Sequence, residues 1–319
     1  MEKFSSFRDR GTQIAPFLPI HGPRTNWEKT YGFIMFLLRL PFFISVVGSY
    51  LFVIHWLPVG SLVRKAWLWS ILGVCGVWWV DLQVEGVRRG TLARQAKAKL
   101  PGPGSIIVSS YTSPLDAIYL AAIFDPIFTT SYPTTKLVER VSLPVFLWRY
   151  FTPPCLRPAE PSDLISIPDL LKKKPNRTIL LFPEATPTNG RGILRFTPAL
   201  STAPPKTKIF PISLKYSPAD ITTPVPNAYM KFLWSLLSRP THCIRVRIAE
   251  TIFNNENTAR TKSGEYDSSS DTMVEEQGGI CERGSEALAR IGRIKRLNLG
   301  VQEKIGFVQA WQRRNRVMG

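Results

Sequence analysis

The sequence predicts an α/β fold with a largely parallel central sheet, preceded by a hydrophobic membrane hairpin and followed by a basic helical segment. Three observations favour it. Short apolar strands alternate with helices beyond residue 104, two tryptophan-rich apolar segments lie near the amino end, and basic residues interleave with apolar ones near the carboxyl end. The predicted segments are a flexible basic arm (1–29), the hairpin (30–82), a basic linker (83–104), the α/β domain (105–253), a disordered insertion (254–281) and a basic amphipathic helical segment (282–319).

The composition indicates a partner with an anionic surface. The formal net charge is +18 over 319 residues, which suits anionic lipid or nucleic acid. The nine tryptophans favour a membrane surface, and no zinc-knuckle, helix-turn-helix or RNP-like motif supports nucleic acid as a partner. Four scattered cysteines indicate a reducing compartment and neither a disulfide framework nor a metal site.

The hairpin is predicted from two apolar segments. The first is Gly32–Leu57, and the run from Leu40 to Val63, which lacks Lys, Arg, Asp and Glu, is long enough to cross the ~30 Å hydrocarbon core. Ala66–Val80 contains four tryptophans but is short for a span, which favours a re-entrant or interfacial helix. A turn at residues 58–60 would place both flanks in the cytoplasm. The alternative is a pair of buried helices in a soluble domain.

The α/β domain begins with a strand at Ile106–Val108 and a helix at Pro114–Phe124. Ser113 can cap that helix and Asp116 is its third residue, which is a capping-box pattern. Further strands are predicted at Pro126–Tyr132, Arg177–Phe182, Lys208–Lys215 and Cys243–Phe253, and further helices at Lys136–Tyr150 and Ile165–Lys174.

The last part of the chain combines a polar stretch with a basic helix. Asn254–Gly279 has almost no large apolar residue and is predicted to be disordered. Ser285–Arg316 carries basic residues beside an apolar stripe, which fits a helix on an anionic membrane surface. The alternative is the solvated outer face of a packed helix pair.

Polar residues follow two of the predicted strands. Tyr111-Thr-Ser-Pro-Leu-Asp116 comes after the first strand, and Phe182-Pro-Glu-Ala-Thr186 comes after Arg177–Phe182. A strand that delivers polar groups to a helix N-terminus is a common anion-binding arrangement. The two strand ends therefore predict a single site.

These motifs resemble the PlsC-like glycerolipid acyltransferases, and in particular a fungal branch of lysophosphatidic acid:oleoyl-CoA acyltransferases. The family has four ordered blocks, and Tyr111–Asp116, Tyr150–Arg157, Phe182–Thr186 and Ile209–Ser213 correspond to them in order. The resemblance covers roughly residues 100–250 and implies a PlsC-like domain. It also implies acyl transfer from acyl-CoA, as a substrate, to lysophosphatidic acid or a related lysophospholipid, without a bound cofactor or metal.

The resemblance further implies a location on the cytoplasmic face of the endoplasmic reticulum membrane, and lipid droplets are a second location. The expected partners are acyl-CoA, a lysophospholipid and the anionic membrane surface.

The first block has Tyr111 where the family has its histidine base. A phenol with a pKa of ~10 is protonated at neutral pH, so Tyr111 would act as a catalytic base only after strong activation. A hydroxyl donor to an acyl carbonyl or phosphate is its alternative role. Asp116 is the second catalytic candidate, and its alternative is a purely structural helix cap. His242 either reaches the site or is a surface residue in a turn.

In the family, the third block holds the glycerol phosphate. Glu184 and Thr186 match its pattern, whereas Ala185 replaces glycine and Pro187 replaces an arginine. The substrate-binding candidates carried over from this block are Phe182, Pro183, Glu184, Ala185 and Thr186. Arg157, Arg191 and Arg195 are candidate phosphate clamps, because a guanidinium suits a phosphomonoester; the alternative is that they are ordinary surface arginines.

Two other function classes compete with acyl transfer. The substitutions at Tyr111 and Pro187 favour a non-catalytic relative that binds lysolipid or acyl-CoA in membrane trafficking or at lipid droplets. An enzyme is favoured by the retention of Asp116, Glu184, Thr186 and Arg157. A basic nucleic-acid-binding protein would need the charge without the hydrophobic hairpin.

Overall fold

A computed structural model of the chain describes residues 2–20, 22, 24–54, 56–57, 60–87, 99–158, 160, 163–254 and 279–318. The helices are α1 (Asn26–Ser49), α2 (Ser61–Val74), α3 (Pro114–Phe124), α4 (Leu143–Arg149), α5 (Ile167–Lys173), α6 (Tyr229–Leu237), α7 (Ile280–Gly292) and α8 (Val301–Met318). The strands are β1 (Val77–Val84), β2 (Ile106–Ser109), β3 (Ile127–Ser131), β4 (Val138–Val141), β5 (Leu164–Ile165), β6 (Ile179–Leu181), β7 (Gly192–Ile193), β8 (Ile209–Ser217), β9 (His242–Ile248) and β10 (Lys295–Arg296).

Eight strands form one sheet in the order β1-β9-β8-β2-β6-β3-β4-β5. The central strands β8, β2, β6 and β3 are parallel, and β1 is parallel to β9. The pairs β8–β9, β3–β4 and β4–β5 are antiparallel. The prediction of an α/β fold with a largely parallel sheet is confirmed. The parallel register also brings the carboxyl ends of β2, β6 and β3 to one edge, where the side chains discussed below are found.

The core has two layers because both faces of the sheet are covered. Ile107 of β2 packs in the layer that contains α2, α3 and α4, whereas Ile106 and Val108 point to the opposite layer, which contains α5 and α7. All three side chains are fully buried. A strand buried on both faces has a continuous apolar sequence, and this explains why Ile106–Val108 could be recognised as a strand.

The helix predicted at Pro114–Phe124 is observed with the expected cap. The Ser113 hydroxyl accepts a hydrogen bond from the backbone of Leu115, and the Asp116 side chain accepts from the backbone N–H of Ser113. These bonds satisfy backbone donors that have no partner inside the helix.

The helix predicted at Lys136–Tyr150 is wrong in its first half. Residues 138–141 form β4, which pairs with β3, and the helix begins only at Leu143. Ser142 and Pro144 mark the true helix start, since proline is favoured in the first turn. Short apolar runs do not distinguish a buried strand from a helix by periodicity alone.

The second helix of the predicted membrane hairpin is also wrong. The segment Ala66–Val80 divides into the end of α2 and the start of β1, an edge strand of the main sheet. Leu68, Ile71 and Leu72 of α2 are buried in the core beside α3. This second half of the predicted hairpin therefore belongs to the α/β domain, although Trp78 and Trp79 of β1 are exposed.

Residues Asn26–Ile54 form the one helix, within the described ranges, that is long and apolar enough to cross a membrane. Its first half is docked on the domain. Gly32 packs against Ser238, whose carbonyl oxygen would lie 3.0 Å from an added Cβ atom. Arg39 donates hydrogen bonds to the carbonyl oxygens of Arg239 and Pro240, at 2.6 and 2.8 Å. Most apolar side chains of α1 remain exposed, including Phe42.

The predicted flexible arm is folded where it is described. Phe4 and Phe17 are buried and contact Phe307 of α8, with ring centroids 5.5 and 5.7 Å apart. Aromatic packing of this kind fixes the arm on the domain. Residues 88–98 of the predicted linker (83–104) and residues 255–278 of the predicted disordered insertion (254–281) lie outside the described residues. Residues 280 and 281, the end of that predicted insertion, belong to α7.

The single basic helix predicted at Ser285–Arg316 is instead two helices, α7 and α8, separated by β10. The apolar residues Leu288 and Ile291 of α7 pack in the core, and Phe307 of α8 packs on the arm. The apolar stripe therefore contacts protein and not a membrane surface, as the alternative expected, but the two helices pack in different hydrophobic clusters and not as a pair.

Replacing Arg39 with methionine should loosen α1 from the domain. Arg39→Met removes two charge-assisted bonds to carbonyl oxygens that are partly exposed, and we expect a loss of ~1–2 kcal/mol in unfolding free energy. In thermal melts of the detergent-solubilised protein, the melting temperature should fall by roughly 3 °C. The exposed Arg10 provides the control variant Arg10→Met. Equal melting temperatures for the two variants would contradict this account of the docking.

Candidate functional site

Asp116 is the centre of a hydrogen-bonded turn between β2 and α3. Its buried carboxylate accepts bonds from the backbone N–H and hydroxyl of Thr112, at 2.8 and 2.9 Å, and from the N–H of Ser113 at 2.8 Å. The Tyr216 hydroxyl of β8 donates the fourth bond. Burial raises the pKa of Asp116 to about 6, and the donors oppose that rise. Within the described residues, no hydrogen bond joins Asp116 to the Tyr111 phenol.

Tyr111 lies in an aromatic cluster at the end of β2. Its ring centroid is 5.6 Å from that of Phe146, 4.4 Å from that of Tyr150 and 5.1 Å from that of Phe182. The side chain is buried, and burial raises the pKa of the Tyr111 phenol further above its ordinary value, although Arg149 acts in the opposite direction. The proton is therefore retained at neutral pH. The geometry suits a hydroxyl donor better than a base.

Glu184 joins the first motif to the third. One carboxylate oxygen accepts from the backbone N–H of Tyr111 at 3.1 Å, and the other accepts from the N–H of Leu194 at 3.0 Å. The side chain is only 1% exposed. Burial raises the pKa of Glu184 to about 8, against the effect of both backbone donors. Both oxygens of the predicted phosphate-binding residue are thus used within the protein.

The remaining residues of the third block surround the end of β6. The Phe182 carbonyl accepts from the hydroxyl of Ser131 at 3.2 Å, and the Pro183 carbonyl accepts from the backbone N–H of Thr197 at 2.8 Å. Ala185 has φ +54°, in the left-handed region that glycine favours. The replacement of the family glycine therefore leaves a residue with a Cβ atom in a strained turn.

A cavity of about 310 Å³ opens at this edge of the sheet. Its lining combines hydroxyl, guanidinium and aromatic groups from Tyr111, Thr130, Trp148, Arg149, Arg157 and Thr186. The hydroxyl groups of Thr130 and Thr186 have no hydrogen-bond partner among the described residues. Because unpartnered buried polar groups are uncommon, these two hydroxyls mark positions where a bound ligand can accept or donate.

The structure separates the three candidate arginines. Arg157 is exposed and lines the cavity. Arg191 is also exposed, but it is not among the residues that line this cavity. Arg195 donates to the carbonyl of Asn298 at 2.9 Å and lines a different depression. Of these three arginines, Arg157 is therefore the one placed to contact a ligand in the cavity.

Arg149 was missed by sequence reasoning. It lines the cavity and donates to Glu139 at 2.6 Å and to the Tyr132 hydroxyl at 2.8 Å. Glu139 lies in β4, which the sequence assigned to a helix, so its pairing with Arg149 could not be anticipated. The adjacency of Arg149 to the second block was the only available signal.

His242 occupies neither predicted position. It is fully buried in β9, and its Nε2 lies 2.8 Å from the Leu236 carbonyl. Burial lowers the pKa of His242. His21 and His55 lie outside the described residues. The described residues that line the cavity include neither a histidine nor a carboxylate.

Comparison with known proteins identifies relatives of one functional kind. The chain is 27% identical to the putative lysophosphatidic acid:oleoyl-CoA acyltransferase of Schizosaccharomyces pombe, over 97% of this chain and 98% of that protein. It is 24% identical to lysophosphatidic acid:oleoyl-CoA acyltransferase 1 of Saccharomyces cerevisiae, over 75% and 80%.

A vertebrate protein shows a shorter match. The chain is 25% identical to the lysophospholipid acyltransferase LPCAT4 of Xenopus tropicalis, over 72% of this chain and 47% of that protein. No family model and no solved structure matches the chain.

Relief of the left-handed turn at residue 185 should stabilise the fold. Ala185→Gly removes the steric cost of φ +54°. Because this cost exceeds the free-energy cost of the added flexibility of the unfolded chain, we expect the free energy of unfolding to rise by ~0.5–1 kcal/mol. The melting temperature should rise by about 2 °C. Ala203 has φ −60° and supplies the matched control, because Ala203→Gly should lower the melting temperature. A decrease in both variants would contradict the strain argument.

Glu184 should make stability depend on pH. Its pKa in the folded protein, about 8, lies above the ordinary value of 4.5. The contribution of Glu184 to the free energy of unfolding is therefore fully present below pH 4.5 and is lost as the pH rises towards 8. Glu184→Gln does not titrate and loses one backbone bond. The variant should melt below the parent at pH 5, and the gap should narrow by pH 8. The exposed Glu286 provides the control Glu286→Gln, for which we expect a constant gap; a constant gap for Glu184→Gln would refute the assignment.

Proposed function

We propose, from its similarity to the lysophospholipid acyltransferases, that this chain transfers a long-chain acyl group from acyl-CoA to lysophosphatidic acid or a related lysophospholipid. The observation that carries the proposal is the cavity at the ends of β2, β3 and β6. Residues from three of the four motif blocks line it, and two of its hydroxyl groups are without partners among the described residues.

Each cavity group has a role that its chemistry supports. The Arg157 guanidinium binds the phosphate of the lysophospholipid by charge-assisted hydrogen bonds. The Thr186 hydroxyl donates to the same headgroup, and the Tyr111 hydroxyl donates to the acyl carbonyl, whose oxygen becomes more negative during transfer. Trp148 offers an exposed apolar surface beside the cavity for the acyl chain. In this proposal acyl-CoA is a substrate, and no bound cofactor takes part.

The proposed reaction takes place at a membrane. The exposed apolar side chains of α1, together with Trp56, Trp78 and Trp79, suit contact with lipid. The positive net charge suits an anionic bilayer surface. We place the protein on the cytoplasmic face of the endoplasmic reticulum membrane or on lipid droplets, where both amphiphilic substrates are accessible.

One specific observation favours a second function, the binding of lysolipid or acyl-CoA without turnover. Acyl transfer to a hydroxyl group needs a proton acceptor. The described lining of the cavity offers no carboxylate or histidine for that task, and burial keeps the Tyr111 phenol protonated.

The test is transfer of labelled oleoyl-CoA to lysophosphatidic acid by the purified full chain in lipid nanodiscs. If Arg157 binds the phosphate, Arg157→Gln should raise KM for lysophosphatidic acid by about tenfold, which corresponds to one charge-assisted bond. Arg313→Gln removes an exposed charge on α8 and should leave KM unchanged.

Variants at residue 111 separate the two candidate functions. An active parent that loses at least tenfold in kcat in Tyr111→Phe would support transfer assisted by the hydroxyl group. A parent that binds lysophosphatidic acid without turnover, and gains turnover in Tyr111→His, would instead establish the binding function. Absence of both binding and turnover in every variant would refute both.

A further inference from the structure

Lys304 of α8 is a buried lysine beside the candidate site. Only 1% of its surface is exposed. Its ammonium donates to the Pro187 carbonyl at 2.7 Å and to the Pro224 carbonyl. The ammonium group also lies over the ring of Phe17, whose centroid is 5.0 Å from Nζ. This is a cation–π arrangement. Within the described residues, Lys304 forms no ion pair with a carboxylate.

The two carbonyl groups belong to segments that border the cavity. Pro187 lines the cavity directly after Thr186. The next residue, Thr188, donates its N–H to the Tyr111 carbonyl at 2.8 Å. On the other side, Thr223 donates its N–H to the Thr112 carbonyl at 3.0 Å, one residue before Pro224. Lys304 therefore connects two segments that both contact the turn after β2.

The arm strengthens the same arrangement. The Asn189 amide donates to the carbonyls of Ala15 and Leu18, both at 2.8 Å, and its backbone N–H donates to the Pro16 carbonyl at 2.9 Å. Residues 15–18 thus cover the segment that follows Pro187 and bring the Phe17 ring to Lys304. The segment that directly follows the third motif is therefore held by both the arm and α8.

This use of lysine is costly for stability. A buried ammonium without a carboxylate loses its hydration, and burial lowers the pKa of Lys304 to about 7. Even buried ion pairs can often be replaced by apolar side chains of similar volume without loss of stability. The benefit of the lysine is therefore geometric: one side chain fixes two carbonyl oxygens that come from separate parts of the chain.

We infer that Lys304 is a positioning residue of the cavity, which holds Pro187 so that Thr186 and Ala185 stay in place opposite Tyr111. The inference rests on the proposed function insofar as the cavity is the lysophospholipid site. The position of the segment itself is independent of that function. Lys304 is not among the described residues that line the cavity, so its proposed action is through the backbone of residues 186–188.

The test compares Lys304→Met, which keeps the side-chain length but removes the charge and the donors, with Arg313→Met on the exposed face of α8. Amide hydrogen exchange of the full chain in nanodiscs should become at least tenfold faster at Thr188 and Thr223 in Lys304→Met alone. Amides of β2 and β6 should be unchanged. KM for lysophosphatidic acid, or its Kd if the parent only binds, should rise about tenfold with a smaller change in kcat.

Several results would overturn the inference. They are unchanged exchange at Thr188 and Thr223, faster exchange throughout β2 and β6, or an unaltered affinity for lysophosphatidic acid despite a loosened segment. If the parent neither binds nor transfers, the proposed function fails, and the exchange pattern alone decides the positioning role. Should Lys304→Met fail to fold, Lys304→Gln keeps N–H donors without charge; exchange at Thr188 and Thr223 should then be faster than in the parent, and an unchanged rate would overturn the inference.

Discussion

The buried carboxylate of Asp116 supports the arrangement on which the rest of the candidate site depends. Four donors converge on it, three from the turn after β2 and one from Tyr216 of β8. Once that turn is fixed, its backbone becomes a template for more distant segments. Glu184, Thr188 and Thr223 each bond to the backbone of residue 111 or 112. An aspartate that a motif would mark as catalytic thus organises the protein backbone, and the cavity forms around the turn that it stabilises.

Local signals were sufficient for the parallel centre of the fold. Ile106–Val108 and the capped helix at Pro114–Phe124 were predictable because burial on both sheet faces and helix capping are encoded by neighbouring residues. These local signals failed for strands whose identity depends on pairing with another strand. Val77–Val80 looks like part of a membrane helix until its pairing with β9 is known, and residues 138–141 become a strand only through β3. In both cases tertiary pairing decided between structures that the sequence alone permits.

The residues of the candidate site also fall into those that the sequence identified and those that only the structure reveals. Tyr111, Arg157, Ala185 and Thr186 were recognisable as motif positions, and all four line the cavity. Asp116 and Glu184 were found too, but their hydrogen-bond partners turn them inwards. Lys304 had no usable signal, because its contact with Pro187 joins elements distant in the chain. Arg149 had only its adjacency to the second block, because its partner Glu139 lies in a strand that the sequence assigned to a helix. A motif therefore identifies which loops meet, whereas the orientation of each side chain follows from packing.

The contact between Lys304 and Pro187 also has a consequence for the order of folding. It joins residues 117 positions apart, and the arm contributes the ring of Phe17 from the opposite end of the chain. Residues so far apart in the chain can meet only after both have been synthesised. A nascent chain that has emerged only as far as β9 already contains every residue that lines the cavity, yet lacks the helix that fixes Pro187. During synthesis, completion of this pocket consequently waits for α8, and chains interrupted before it carry the motifs without the finished geometry.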